Sequence, residues 1–159
     1  MSTWGRRRLH EETEDASVKL VLVVAPAGWG KTSLLGEWWS SRRNTPSAWL
    51  SIDPGDNDPV CFWAHLIAAM SGASGYAGSD ALRSHIVSDV EIADVLVPHV
   101  INDLARTPAQ MAIIIDNYHL ITNPAIHQCL EFFVEHLPPA VRLVLITRTE
   151  PALPLSTAT

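Results

Sequence analysis

Basic charge, paired cysteines and long apolar runs are all scarce in this sequence. Its 159 residues carry 11 Lys and Arg against 17 Asp and Glu, a net charge of −6. Phosphate backbones are held by basic surfaces, so this balance argues against direct DNA binding by the domain as a whole. Only two cysteines occur, Cys61 and Cys129, with no CxxC pair or zinc spacing around them. They read as buried thiols in a reducing compartment, which for this chain means the cytoplasm. No apolar run approaches the roughly 20 residues needed to span a bilayer, so no membrane is expected as a partner. The length suits one ordinary domain or part of a larger chain, and 47% hydrophobic residues suffice for a sizeable core.

A secretory leader is excluded as well. Arg6-Arg7-Arg8, the later run Val21–Val24 and Ala25-Pro26-Ala27 imitate its three parts. Glu11, Glu12, Glu14 and Asp15 stand between them, where a leader has no place for acids. Residues 1–17 therefore read as a polar, frayed N-terminal segment, with residues 18–159 as the folded domain.

The stretch around which the rest is organised is Lys19 to Leu35. Leu20-Val21-Leu22-Val23-Val24 is too short for a helix and right for a strand buried on both faces. Ala25-Pro26-Ala27-Gly28-Trp29-Gly30-Lys31-Thr32 follows, then a helix-like segment with Leu34, Leu35, Trp38 and Trp39. Strand, glycine-bearing turn, Lys-Thr and helix form the arrangement that cradles nucleotide phosphates. Gly28 and Gly30 let backbone amides approach anionic oxygens closely. The turn from Ala27 through Trp29 to Ser33 lies at the positive end of the following helix. Lys31 would reach the β- and γ-phosphates and Thr32 would offer its hydroxyl to Mg²⁺. Ala25 occupies the place where the usual pattern has Gly.

Downstream, Ala48 to Ile52 reads as a second strand ending at Asp53. Asp53-Pro54-Gly55-Asp56-Asn57-Asp58 crowds three acids together but lacks the alternating ligands and closing Glu of a calcium loop. A turn at Pro54-Gly55, then Asp58 capping a helix with Pro59 at its first position, fits better. Val60 to Met70 has apolar residues at helical spacing, and His65 reads as a helix-surface residue. Residues 71–79 form a small, Gly-rich loop. Ile86 to Arg106 reads as a long amphipathic helix or two, kinked at Pro98, with His99 a satisfied core or surface histidine.

Met111 to Asp116 is an apolar run ending in an acid. Such a strand delivers Asp116 to the carboxyl edge of the sheet, where open α/β sheets bind ligands, in the manner of the aspartate that holds Mg²⁺ directly or through water. Many ATPases follow it with Glu or Asp to activate the attacking water. This chain has Asn117, which can orient a water but cannot take its proton. Ala125 to Leu137 reads as a helix between Asn123-Pro124 and Pro138-Pro139. Val141 to Ile146 is a further buried strand ending in Thr147-Arg148. Arg148 is either a γ-phosphate sensor or a solvated loop arginine. A Pro-rich, irregular tail closes the chain.

Taken together, VVAPAGWGKTSLL, AWLSIDPGDNDPVCFWAHLIAAM, IIIDNYHLI and FFVEHLPPAVRLVLITRTEPALPL resemble the nucleotide-binding domain of large LuxR-type bacterial transcriptional regulators. These are the maltose-regulon-activator-like members of the STAND class of signalling ATPases. The resemblance covers Leu20 to about Leu155. It implies an α/β P-loop NTPase of ASCE/AAA-like type, a three-layer sandwich with a parallel sheet in the order 1-4-3-2, the fifth strand missing. It implies ATP/ADP and Mg²⁺ as cofactors, Lys31 and Thr32 on phosphates and metal, Asp116 on the metal, and Arg148 as the sensor arginine. Ala at the first loop position is common in that family. Two consecutive acids are usual where Asp116-Asn117 stands, so weak hydrolysis is expected. Family members continue into a fifth strand, a winged helix, sensor repeats and a helix-turn-helix for DNA, so the resemblance, which covers only the N-terminal part of such a regulator, implies a fragment, a truncated gene product or a stand-alone remnant.

Two functions follow as expectations: an ATP-binding switch domain, or a non-catalytic remnant that pairs with a partner through an exposed sheet edge. A small-molecule P-loop kinase is a third reading, disfavoured because no substrate-lid arginines are evident. Without a fifth strand, Leu20 to Val24 becomes an edge lacking the usual protective proline or charge, so self-association is expected.

Overall fold

The structure, a computed structural model, describes residues 19–24, 37, 46–73, 92–106, 110–149 and 151. Four apolar runs form strands: β1 (Leu20–Val24), β2 (Ser47–Ser51), β3 (Met111–Asp116) and β4 (Val141–Thr147). All pair in parallel in the order β1-β4-β3-β2, the order that the resemblance implies. Parallel neighbours need long crossovers, and three helices are described within them: α1 (Pro59–Ser71), α2 (Val97–Arg106) and α3 (Pro124–Glu135).

Side chains alternate across the sheet, and each face has its own core. Ala48, Leu50, Ile113, Ile115, Leu143 and Leu145 face the helices, joining Phe62, Trp63 and Leu66 of α1, Val100 of α2 and Leu130 and Phe133 of α3. Val21, Ala112, Ile114, Val144 and Ile146 form the core of the opposite face. Among the described residues Trp63 is the largest fully buried side chain, meeting Phe62 and Phe133 edge to face at 5.5 and 5.4 Å. Burying each such side chain contributes roughly 1.5–3 kcal/mol of transfer free energy, which fixes α1 against α3.

Position in the sheet decides burial. β3 is buried at every residue before Asp116. Among the described residues β1 pairs on one side only, with β4, and is half-buried along most of its length, with Val24 47% exposed.

Two expectations need correction. Cys61 is exposed, and only Cys129 is buried. The reason is helical phase: Phe62, Trp63, Leu66, Ile67 and Met70 take the inner face of α1, which turns Cys61 outward. The stretch read as a long helix or two, kinked at Pro98, is interrupted next to that proline. Residues Ile92–Leu96 form a π-helical turn that gives way to α2 at Val97. Pro98 has no N–H for a carbonyl four residues back, so the ladder cannot run through it unbroken. Finally, β2 starts one residue early, at Ser47, and ends at Ser51. The phosphate turn and the segments 1–17 and 74–91 lie outside the described residues.

Candidate functional site

The register places the predicted residues along one edge. Val24, which ends β1, pairs with Thr147 of β4, and Ile115 of β3 pairs with Leu145. Asp116 therefore ends its strand one level short of Thr147, with Arg148 just beyond and exposed. With strands about 4.8 Å apart, the point where the chain leaves β1 for the phosphate turn lies roughly 10 Å from β3. Ala27, Gly28, Trp29, Gly30, Lys31, Thr32 and Ser33 themselves lie outside the described residues.

Asp116 is half-buried, and its Oδ1 accepts the backbone N–H of Asn117 at 2.8 Å. Asn117 has φ 59° and ψ 33°, the only left-handed residue other than glycine among those described. Non-glycine residues avoid this region, at a cost of about 1 kcal/mol, with Asn among the most tolerant. Its side chain makes no capping hydrogen bond to the short 3₁₀ turn Tyr118–Leu120 that it begins. Such conformations gather at functional sites, where the surroundings over-determine them. Here Leu120 N–H donates to Asn117 O and Ile121 N–H to Tyr118 O, and Ile52 N–H donates to Asp116 O from the neighbouring strand.

The other acids of this edge are spent on their own turn. Asp53 caps the 3₁₀ turn Pro54–Asn57, its Oδ1 accepting Gly55 N–H at 2.8 Å. Asp56, 1% exposed, returns its Oδ2 to Asp53 N–H at 3.0 Å and pairs its Oδ1 with His65 Nδ1. Asp58 caps α1 through Cys61 N–H at 3.1 Å, with Pro59 at the first helical position, as the sequence indicates. A side-chain hydrogen bond between the Cys61 thiol and Asp58, together with the charges of Asp58, Asp56 and Asp53, pushes the thiol up and away from the reactive thiolate. Among the described residues no group of three or more His, Cys, Asp or Glu could hold a metal ion.

Sequence reasoning missed a cleft of about 640 Å³ beside this edge, between the segment after β3, the first half of α3 and the segment after β4. Tyr118, His119, His127, Glu131 and Thr149 are among its walls. Tyr118 Oη and His127 Nδ1 share a hydrogen bond of 2.7 Å. Burial pushes the Tyr118 phenol up and His127 down, so the pair is uncharged at neutral pH. The available signal was Tyr118 directly after Asp116-Asn117; its partner His127 sits a helix start away. Thr147 is buried beside the same edge and donates its Oγ1 hydrogen to Thr149 O at 2.8 Å.

A parallel α/β sheet in the order 1-4-3-2, with an acid-tipped β3 beside the strand that follows it in sequence, fits the P-loop NTPase fold. The crystal structure of Cdc6p from Pyrobaculum aerophilum shares this fold over 91% of the chain and 39% of its own, at a TM-score of 0.54 and 14% identity. In sequence the chain is homologous to MalT-type HTH transcriptional regulators. It is 37% identical over 150 residues to the HTH-type transcriptional regulator MalT of Cronobacter sakazakii, covering 93% of this chain and 16% of that protein. The MalT of Vibrio parahaemolyticus is 35% identical over 140 residues, 88% of this chain and 15% of that protein. The chain thus spans about one sixth of the length of these curated relatives. No protein-family model matches it.

Proposed function

We propose that this chain is the ATP-binding switch domain of a LuxR-type transcriptional regulator, binding Mg-ATP or Mg-ADP with weak hydrolysis. The observation that carries the reading is the convergence of β1's exit, Thr147-Arg148 and Asp116-Asn117 on one edge of adjacent parallel strands. Residues 18–159 would form the nucleotide domain, with residues 1–17 as a polar N-terminal segment. Gly28, Gly30 and their neighbours from Ala27 to Ser33 would hold the phosphates. Lys31 would neutralise their charge, and Thr32 with Asp116 would hold Mg²⁺. The Asn117 N–H fixes one oxygen of the Asp116 carboxylate. Among the described residues, no group donates to the other oxygen, which suits a metal or its water. The ion would supply charge neutralisation between the terminal phosphates. Arg148, exposed at the tip of β4, would sense the γ-phosphate. Asn117 would orient a water without accepting its proton, which makes the domain a slow ATPase suited to holding a state. The homology supports a cytoplasmic, bacterial setting for this switch, with the rest of the regulator carrying inducer and DNA recognition.

Calorimetry of the chain with ATP and ADP, with and without Mg²⁺, tests the reading. Binding that strengthens with Mg²⁺ and disappears in Lys31→Ala, with the far-ultraviolet circular dichroism unchanged, is expected. Unchanged affinity in Lys31→Ala would remove the phosphate-loop assignment.

The one-sided pairing of β1 favours a second reading, an interaction module that pairs through this edge without catalysis. Self-association in light scattering at rising concentration, with no nucleotide bound, would single it out.

A further inference from the structure

Two turns at the C-terminal edge, one after β2 and one after β3, are joined by a single side chain. Asn57 Oδ1 accepts the N–H of Thr122 at 2.8 Å and the N–H of Asn123 at 2.9 Å. Its Nδ2 donates to Thr122 Oγ1 at 2.8 Å, and its backbone carbonyl accepts Asn123 Nδ2 at 3.4 Å. The partners are 65 and 66 residues away in sequence. Local turn chemistry does not require these contacts.

They close a continuous path to the candidate site. From Asp116 onward, Asn117 N–H donates to the Asp116 carboxylate. Leu120 N–H reaches Asn117 O, Ile121 N–H reaches Tyr118 O, and the next two amides both go to Asn57. Beyond them Asn123 caps α3 through Ala125 N–H at 3.0 Å. The left-handed residue, Asn117, lies inside this path. Asn57 itself sits in the turn braced by the reciprocal caps of Asp53 and Asp56. A side chain that accepts two consecutive amides fixes the direction of the backbone that carries them, since both N–H groups must converge on one oxygen.

We propose that Asn57 is a positioning residue for the Asp116-Asn117 pair. It holds the 117–123 segment in the course that keeps Asn117 left-handed and, through the Asn117 N–H, sets the orientation of the Asp116 carboxylate. Metal-assisted nucleotide binding then depends on a residue on a different turn. The inference rests on the nucleotide-binding reading above.

The test is a calorimetric titration of the full chain with ATP, with and without Mg²⁺. Asn57→Leu keeps the branching at Cγ and removes every hydrogen bond of the Asn57 side chain; Asn57→Asp keeps an oxygen for both amides and can accept from the Thr122 hydroxyl. Outer partners of a metal-binding group typically weigh 10- to 100-fold in metal affinity. Asn57→Leu should therefore lose about tenfold of the Mg²⁺-dependent gain, with metal-free ATP affinity unchanged, and Asn57→Asp should recover most of it. If Asn57→Leu does not fold, Thr122→Val takes its place. Thr122 is exposed, and losing its one side-chain bond to Asn57 should lower the Mg²⁺-dependent gain about threefold, the weight of one neutral hydrogen bond. An equal loss with and without Mg²⁺ would reduce Asn57 to a structural clamp and overturn the inference. So would a full Mg²⁺ gain retained in the variants, or nucleotide binding by the native chain that ignores Mg²⁺. No ATP or ADP binding by the native chain under any condition would instead overturn the nucleotide reading itself.

Discussion

Two acid-bearing turns stand side by side at the C-terminal edge, and they use their acids in opposite ways. After β2, Asp53, Asp56 and Asp58 each accept a backbone N–H of their own segment, and Asp56 also pairs with His65. After β3, Asp116 commits one oxygen to Asn117 N–H, and Asn117 takes a left-handed conformation without a capping bond to justify it. The first turn has three acids and builds structure. The second has one and carries the features of a site. Counting acids would have chosen the wrong turn, whereas asking which oxygens are already occupied separates them.

The comparison can be broken most forcefully at Asn117. Asn117→Asp adds a proton acceptor beside Asp116, and a general base contributes on the order of 10²–10⁴-fold. Single-turnover ATP hydrolysis should rise within that range. No increase would show that another step limits the reaction.

The next effect belongs to the structural turn. Asp56→Ala should cost about 1–2 kcal/mol, because it strands the part-buried Asp53 N–H and removes the His65 contact together. Asp116→Asn, by contrast, should change stability by less than about 0.5 kcal/mol while removing the Mg²⁺ dependence of ATP affinity. Urea unfolding of both variants checks the contrast, and equal losses would erase the distinction between the turns.

A smaller effect tests the strain after β3. Asn117→Ala should lose about 1 kcal/mol, since alanine gains nothing in the left-handed region, whereas Asn117→Gly should be close to neutral. Thermal unfolding that ranks the two the other way would mean that the Asn117 side chain, rather than its backbone, stabilises the turn.

The smallest is a pH effect. His127 is held below its ordinary value of 6.5 by burial, against the Tyr118 hydroxyl and in a cleft that also presents His119 and Glu131. A histidine with a lowered folded-state value contributes stability that is intact above pH 6.5. As pH falls from there through the folded-state value, the unfolded chain takes up the proton first and stability declines. His127→Gln should flatten the midpoint of thermal unfolding over that window, and an unchanged slope would assign it to other groups.

Much of this was legible in the chain itself. The two central strands, β3 and β4, announce themselves as apolar runs, because a parallel strand covered on both faces has little polar side to show; β1, read the same way, is half-buried because it pairs on one side only among the described residues. Asp58-Pro59 and Asn123-Pro124 mark the starts of α1 and α3, because a capping oxygen and a proline that needs no N–H serve a helix only at its first turn. Asp116 at the end of such a run places an acid at the edge, and the strand order came from the resemblance carried by four motifs. What had no local signature rests on contacts between distant segments. Cys61 faces outward because α1 spends its inner face on larger apolar groups. Asn57 meets Thr122 and Asn123 across more than sixty residues, and Tyr118 meets His127 across a turn and a helix start. The sequence by itself determined which segments must be buried and which residues must lie at strand ends, because periodicity and caps act within a few residues. Only the tertiary structure decided which polar groups are already satisfied, because a hydrogen bond is settled by what the folded chain brings within about 3 Å.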